Sequence, residues 1–379
     1  MKIVGFRIRE LKVPLAHPYA LSKAYGVQND TSNIVLEIYT DEAIVGYGES
    51  DPWPAFTGDT AESVVAILAK CLCPSLLGKD PTDIDMVNGL MDKVLRGNGT
   101  SKASIDVACH DILGKIQGCP VCDLIGKRKR DAVKCFWAVG GNTPEETANE
   151  ILAIKKEKFW GCMNKIGTDW QLDVNRTLAA REVVGDDFPL IADANQGWDV
   201  ETAIRYGKAV ERANLLFFEQ PVKYWDVDGL ARIRTNVPMP ISADEGVSDI
   251  HAAKTLVKEH ACDYFSIKIS KNGGITKAKE ICEYANEHGI KLFFNSMLEE
   301  GVTQTASFHL ALTTPNILMT TGHSFFSTLR LQGDVTHFCN WTRDGVTSLP
   351  MDCKGLGVEM NSSNLDKYTG TWTEVGNVR

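Results

Sequence analysis

Asp193, Glu219 and Asp244 each close a short apolar run, and the three runs follow one another at nearly equal intervals. Three oxygen donors without an accompanying His or Cys suit a hard cation, Mg²⁺ or Mn²⁺, rather than zinc. Lys165 and Lys268 close two other runs of the same kind. A lysine near a divalent cation and a second lysine is disfavoured as an ammonium, so its pKa falls toward working pH and it becomes a usable base. The chemistry this set could do is removal of the α-proton from a metal-bound carboxylate substrate, through an enediolate whose extra charge the cation stabilises. The second lysine would return the proton on the opposite face, protonate elsewhere, or assist departure of a β-leaving group. Asn195, two residues past Asp193, points the same way along its strand and supports the ligand or the substrate; Glu245 is an outer partner of Asp244. One strand-end carboxylate alone reads as a helix cap or a surface charge, and one lysine alone as an ion pair. Three carboxylates in register, with a lysine on either side, favour the catalytic reading.

Residues so far apart in sequence meet only if the elements carrying them end at one place. Apolar runs alternate with amphipathic helical stretches from about residue 130 onward. The runs are Cys135-Phe-Trp-Ala-Val, Cys162-Met-Asn-Lys, Pro189-Leu-Ile-Ala-Asp, Leu215-Leu-Phe-Phe-Glu, Ile241-Ser-Ala-Asp, Tyr264-Phe-Ser-Ile-Lys, Lys291-Leu-Phe-Phe-Asn and Asn316-Ile-Leu-Met-Thr. Eight strands at that beat predict an α/β fold, a TIM-like β/α barrel whose C-terminal strand ends share one mouth. Ahead of it, 1–13 and 33–49 alternate as antiparallel strands, and 60–75, 81–96 and 101–117 have helical period. The reading is an α+β capping domain over 1–130, a catalytic barrel over 131–334, and a segment over 335–379, without helical period, that packs back on the cap.

The composition narrows the partners. Among 379 residues, 49 Asp+Glu exceed 40 Lys+Arg, which argues against nucleic acid or an anionic membrane surface as the main partner. No window approaches the ~18 apolar residues of a membrane span, and the N-terminus alternates like a strand rather than a signal peptide. Eleven cysteines are scattered, several in apolar contexts, and the one CxxC, Cys119 to Cys122, lacks a second pair at zinc spacing. Free thiols in a reducing, cytoplasmic compartment are expected.

The motifs in order resemble the enolase superfamily, and within it the muconate lactonizing enzyme subgroup of the mandelate racemase/muconate lactonizing enzyme type. The resemblance runs through Gly46-Tyr-Gly-Glu49, Ser101 to Asp111, Gly118 to Gly126, Asp193-Ala-Asn195-Gln-Gly-Trp198 and Phe218-Glu219-Gln-Pro221. It continues through Ser242-Ala-Asp244-Glu245, Ile267-Lys268 to Gly274, and Asn295-Ser-Met-Leu-Glu299. It implies a modified (β/α)7β barrel under an N-terminal cap, with Asp193, Glu219 and Asp244 as Mg²⁺ ligands and Lys268 as the sixth-strand acid/base. A homo-oligomer and a small carboxylate substrate are implied with it.

Two positions depart from the pattern. The subgroup's Lys-x-Lys on strand two reads Met163-Asn164-Lys165, which implies a different environment for the substrate carboxylate. Strand eight reads Thr320-Thr-Gly-His-Ser324, without the acid that grips a dipeptide ammonium, so dipeptide epimerisation is disfavoured. Substrate contacts are assigned to Met163, Asn295, Met297 and His323, and to Tyr19, Trp53 and Phe56 on cap segments 17–30 and 50–57 that close the mouth. The function expected is a racemase, epimerase or cycloisomerase. The alternatives are a lyase, such as a syn-dehydratase or another β-eliminating enzyme, and an inactive barrel that serves as a binding protein.

Overall fold

The computed structural model describes residues 1–317, the backbone of 321–323, and 329–378. Its N-terminal part is an antiparallel sheet. Strands β1 (Ile3–Ala20), β2 (Val27–Thr40) and β3 (Val45–Ser50) form a meander. β1 and β2 run further than the alternation over 1–13 and 33–49 suggests. They make a long hairpin whose tip falls within the segment expected as a loop, and Tyr19 pairs with Gln28 across it.

Helix Gly99–Gln117 lies flat on β3 because that strand has glycines where it touches. A Cβ on Gly48 would stand 1.7 Å from the Ser104 carbonyl oxygen, and one on Gly46 would stand 2.4 Å from that of Ala108. The helix expected over 60–75 is interrupted. Ala61–Ile67 is α-helical, Leu68–Leu72 opens into a wider π turn, and Cys73–Leu76 resumes. Pro74 sits at this break, lacking the N–H that a continuous ladder needs.

Eight parallel strands follow: β4 (Ala132–Val139), β5 (Gly161–Lys165), β6 (Leu190–Asp193), β7 (Phe218–Glu219), β8 (Ile241–Ala243), β9 (Tyr264–Ile267), β10 (Lys291–Phe294) and β11 (Thr321–His323). Each pairs with the next, and β11 returns to β4, so the sheet closes into a barrel. Of the run read as the last strand, 316–320, residues 318–320 lie outside the described residues. Ile317 makes only an isolated bridge to Leu292, and the described strand is Thr321–His323. Phe136, Met163, Ile191, Phe217 and Phe293 fill the barrel interior and join Tyr19 and Leu11 of the cap in one apolar cluster. Phe293 meets Phe136 and Phe217 edge-on at 5.4 and 5.5 Å.

The C-terminal segment is more structured than its sequence suggests. β12 (Thr342–Arg343) and β13 (Val346–Ser348) form a hairpin whose second strand runs antiparallel to β4. A helix, Ser362–Tyr368, is capped by Asn361. β14 (Thr369–Gly376) then pairs with β1 at the edge of the cap sheet. Its helix is only about two turns long, fixed by a cap and by Leu365 and Tyr368, too short to register as a period. Among the described residues no helix is long and apolar enough to cross a membrane.

His309, on helix Gly301–Thr313, ties this segment to the barrel. It accepts the Cys122 N–H at 3.3 Å and donates to the Leu356 carbonyl at 3.0 Å. Burial lowers its pKa to about 4. The unfolded chain therefore takes up a proton that the folded one refuses, and stability falls as pH drops from the ordinary histidine value toward 4. That loss is expected to reach about 3 kcal/mol. Unfolding measured between pH 7.5 and 4 should show a shallower acid slope in His309→Gln than in the parent, and an unchanged slope would contradict this.

Candidate active site

The strand ends put the chemistry-bearing residues in one mouth. Asp193 and Glu219 are the last residues of β6 and β7, Asp244 follows β8, Lys165 ends β5 and Lys268 follows β9. None of the three carboxylates caps a helix. The helices that follow carry their own caps, Asp199, Asp226 and Asp249. β5 and β9 stand four strands apart in a ring of eight, so the two lysines face each other across the barrel axis.

All five groups are buried, and charge decides how they pair. Lys165 donates to Asp193 Oδ2 and, at 3.3 Å, to Asn195 Oδ1. Lys268 Nζ lies 2.6 Å from Asp244 Oδ2. A third lysine, Lys271, donates to Asp244 Oδ1 at 2.9 Å, the Asp244 carbonyl at 2.6 Å and the Ser266 carbonyl at 2.9 Å. Asp244 is buried, which disfavours its charge, yet Lys268 and Lys271 overcome this and hold its carboxyl at about 2. Glu219 has no lysine of its own. Burial and the charges of Asp193 and Asp244 push its pKa well up. Its Oε1 accepts Asn295 Nδ2 at 3.1 Å, while its buried Oε2 has no hydrogen-bond partner among the described residues.

Burial disfavours the charge of the lysines, but in the metal-free protein Asp193 beside Lys165 and Asp244 beside Lys268 outweigh it, so both pKa values are raised. Asp193 and Asp244 act here as ion-pair partners of the lysines. Among the described residues the three carboxylates are not already drawn together as a metal cage.

The backbone just past these carboxylates is bent. Asn195, Gln196 and Gln220, immediately past Asp193 and Glu219, all have positive φ of 38°, 61° and 35°, a conformation that costs non-glycine residues ~1–3 kcal/mol each. Hydrogen bonds hold them there. The Asn195 N–H donates to Asp193 Oδ1 at 2.8 Å, and Gln220 Oε1 accepts the Asp244 and Gly246 N–H groups at 2.9 and 3.0 Å. Glu245 Oε1 accepts from Tyr25 Oη at 2.8 Å and from Asn195 Nδ2 at 3.3 Å. Burial, with Asp244 and Asp193 nearby, raises its carboxyl to about 7.

The cap supplies the roof. Tyr25, Trp53 and Phe56 pack ring on ring at 5.3–5.9 Å, and Lys268 Nζ lies 4.2 Å from the centre of the Phe56 ring. Trp53 and Phe56 are half-buried in this stack. Tyr19 is buried, and its environment includes Lys165, Arg330, Asp193 and Lys268. Met163 is fully enclosed in the barrel's apolar cluster, and Met297 is also buried. The backbone of His323 pairs with Phe294 and Cys135; its side chain lies outside the described residues.

Sequence reasoning missed two cations. Lys271 was legible as a second lysine three residues past Lys268, but nothing in the motif says which oxygen it meets. Arg330 lies over the rings of Tyr19 and Trp137 at 3.9 and 4.8 Å and donates to the Ala138 carbonyl. Ala138 is the register partner of Met163, so a positive charge reaches the strand pair that lost the first lysine.

Glu219 is the member whose burial is least compensated. With no divalent cation added, Glu219→Gln is expected to raise the unfolding free energy by about 1–3 kcal/mol, since its amide can donate to the neighbouring carboxylates. A thermal or denaturant melt reads this, and a destabilised variant would contradict it.

Comparison with known proteins agrees with this geometry. Residues 3–126 match the mandelate racemase / muconate lactonizing enzyme N-terminal domain, and residues 146–364 match the enolase C-terminal domain-like family. The chain is 33% identical over 374 residues to an N-succinyl-L-Arg/Lys racemase of Bacillus cereus, covering 97% of this chain and 98% of that one. It is 35% identical over 318 residues to a cis-3-hydroxy-L-proline dehydratase of Roseibium aggregatum, covering 83% and 85%. The crystal structure of a dipeptide epimerase from Cytophaga hutchinsonii, complexed with Mg and D-Ala-L-Val, superposes with a TM-score of 0.93 at 28% identity, covering 99% and 100%. With both of its domains matched and its strand-end carboxylates and lysines in one mouth, this chain belongs to the mandelate racemase/muconate lactonizing enzyme group of the enolase superfamily.

Proposed function

We propose that the chain is a metal-dependent isomerase that takes the α-proton from a small carboxylate substrate with one of Lys165 and Lys268 and returns a proton with the other. The observation that carries this is the placement of two buried lysines on opposite sides of the barrel axis, each held by one carboxylate of the same cluster. Asp193, Glu219 and Asp244 would hold Mg²⁺, with Mn²⁺ as the alternative. An all-oxygen donor set and the buried, unpartnered Glu219 Oε2 fit such an ion, and the Cytophaga hutchinsonii epimerase complex contains Mg. When bound, the cation would stabilise the charge that proton removal places on the substrate carboxylate.

The chain's own residues do the rest. A buried lysine whose carboxylate partner is engaged elsewhere loses the interaction that favours its charge, and burial then favours the neutral amine that can act as base. Asn195 and Asn295 orient Asp193, Lys165 and Glu219. The Tyr25–Trp53–Phe56 stack keeps bulk water from Lys268. Arg330 and the acid-free strand eight fit a substrate without a free ammonium, as in an N-acylated amino acid, the class named for the Bacillus cereus relative. The 35% identity to a dehydratase supports a second reading, β-elimination, which needs only one lysine.

Incubation with Mg²⁺ and a panel of small carboxylates, amino acids and N-acyl amino acids in deuterium oxide separates these. Isomerisation places deuterium at the α-carbon of recovered substrate and of its epimer, whereas elimination yields an unsaturated or keto product. Lys268→Ala should slow α-proton exchange by about 10³-fold while the Mg²⁺-induced rise in melting temperature persists. Retained exchange in that variant removes Lys268 from the mechanism, and a wild-type protein whose melting temperature ignores Mg²⁺ removes the metal.

A further inference from the structure

Two lysines that serve opposite faces of one substrate must each be set in place, because a misplacement of about 1 Å costs on the order of 10²-fold in rate. Lys165 and Lys268 are fixed from behind by different devices. The Lys268 N–H donates to Asn272 Oδ1 at 3.0 Å, and the Asn272 N–H donates back to the Lys268 carbonyl at 2.9 Å. Asn272 Nδ2 also donates to the Val247 and Ser248 carbonyls at 2.7 and 3.2 Å. Lys268 is therefore held within the loops that follow β8 and β9.

We propose that Arg176, paired with Asp173, is the positioning residue of Lys165 and not of Lys268, so that it governs proton transfer on one face of the substrate. This inference rests on the two-lysine reading above. Arg176 and Asp173 lie on helix Trp170–Val184, which follows β5 and packs on helix Pro144–Lys156. Arg176 Nη2 donates to the Lys165 carbonyl at 2.8 Å and reaches Asn164 Oδ1 at 3.4 Å. Asp173 Oδ2 accepts the N–H groups of Gly167 and Thr168 at 3.0 and 2.9 Å. The two side chains thus grip residues 164, 165, 167 and 168, on either side of Ile166. Arg176 Nη1 donates to Asp173 Oδ1 at 2.7 Å and locks the pair together, while Arg176 Nε donates to Thr147 Oγ1 at 3.1 Å.

The chain needs such a grip at this point. The ladder of β5 ends at Lys165, and Gly167 turns the backbone away with a φ of 94°. A Cβ on Gly167 would stand 2.3 Å from the Ala194 carbonyl oxygen, so the turn is pressed against the chain that follows Asp193. Arg176 is 4% exposed and Asp173 is fully buried. A buried ion pair adds little net stability over apolar packing, whereas a planar guanidinium fork fixes several acceptors at once. Among the described residues no hydrogen bond or ion pair joins Arg176 or Asp173 to Asp193, Glu219, Asp244 or Lys268. The grip therefore reaches the site through Lys165 and the turn after it.

Arg176→Lys keeps a cation beside Asp173 but gives up the fork that also reaches Lys165. Asp173→Asn can still accept Arg176 Nη1 but gives up the oxygen that accepts the Gly167 and Thr168 N–H groups. With Mg²⁺ in deuterium oxide, α-proton exchange is measured separately for each enantiomer of a substrate from the panel. The enantiomer that Lys165 serves is the one whose exchange is abolished in Lys165→Ala. Both variants are expected to slow exchange of that enantiomer about 10-fold or more. Exchange of its mirror image should stay at the wild-type rate, and the Mg²⁺-induced melting shift should persist. Asn272→Ala, which loosens Lys268, should give the opposite preference. Equal slowing of both enantiomers in Arg176→Lys and Asp173→Asn would overturn the assignment, because a merely structural role produces it. Wild-type exchange of both enantiomers in those variants would overturn it too. A wild-type protein that exchanges neither enantiomer, or only one, would instead overturn the two-lysine reading, and the assignment with it.

Discussion

Asp193, Glu219 and Asp244 are buried side by side at the ends of adjacent strands, and the rest of the site is arranged around the repulsion among them. Two like charges ~4 Å apart in an effective dielectric of ~20 repel by about 4 kcal/mol, a large fraction of what holds a domain together. The chain meets this with lysines from both sides, Lys165 against Asp193 and Lys268 with Lys271 against Asp244. Glu219, in the middle and without a cation, is the group whose proton affinity rises most clearly. The lysines proposed as bases are the same ones that pair with Asp193 and Asp244, the carboxylates proposed as metal ligands. In the proposed mechanism electrostatic compensation and catalysis use one set of charges, and taking the carboxylates away from the lysines would favour the neutral amines.

The cap is part of this arrangement. Its hairpin tip places Ser22 Oγ on the Asn195 carbonyl at 2.9 Å and Tyr25 on Glu245. Its third strand sends Glu49 to the Glu300 and Thr303 N–H groups at 2.6 and 2.8 Å, at the start of helix Gly301–Thr313, where a negative charge is favoured by the helix dipole. The ends of β1, β3 and the 50–57 segment thus dock on the loops after β6, β8 and β10. The glycines of β3 that admit helix Gly99–Gln117 set the position of Glu49 and Asp51 at its end.

The barrel was legible because its signal is repeated: among the described residues a barrel strand is followed by a helix seven times over, and six of those strands end at, or one residue before, a charged or polar residue. The placement of Asp193, Glu219, Asp244, Lys165 and Lys268 in one mouth follows from that repeat alone, once strand ends converge. Long-range pairing was less legible. The β1–β2 hairpin extends past the alternating residues because its tip is fixed by the barrel, and β14 pairs with β1 across almost the whole chain. Arg330 could not be placed from sequence, since its neighbours Tyr19 and Trp137 come from two other elements. The ion pairing was illegible for a related reason: sequence names the nearby charges but not which carboxylate oxygen lies 2.6 Å from which ammonium.

The central claim is that the three carboxylates are held by protons and ammonium groups until a divalent cation takes their place. Calorimetric titration of the protein with Mg²⁺ near pH 7, repeated in buffers of different ionisation enthalpy, counts the protons released on binding. The account predicts saturable binding with release of about one proton or more per ion, from Glu219 and the lysines. Saturable binding with no proton release, or no binding at all, would contradict it.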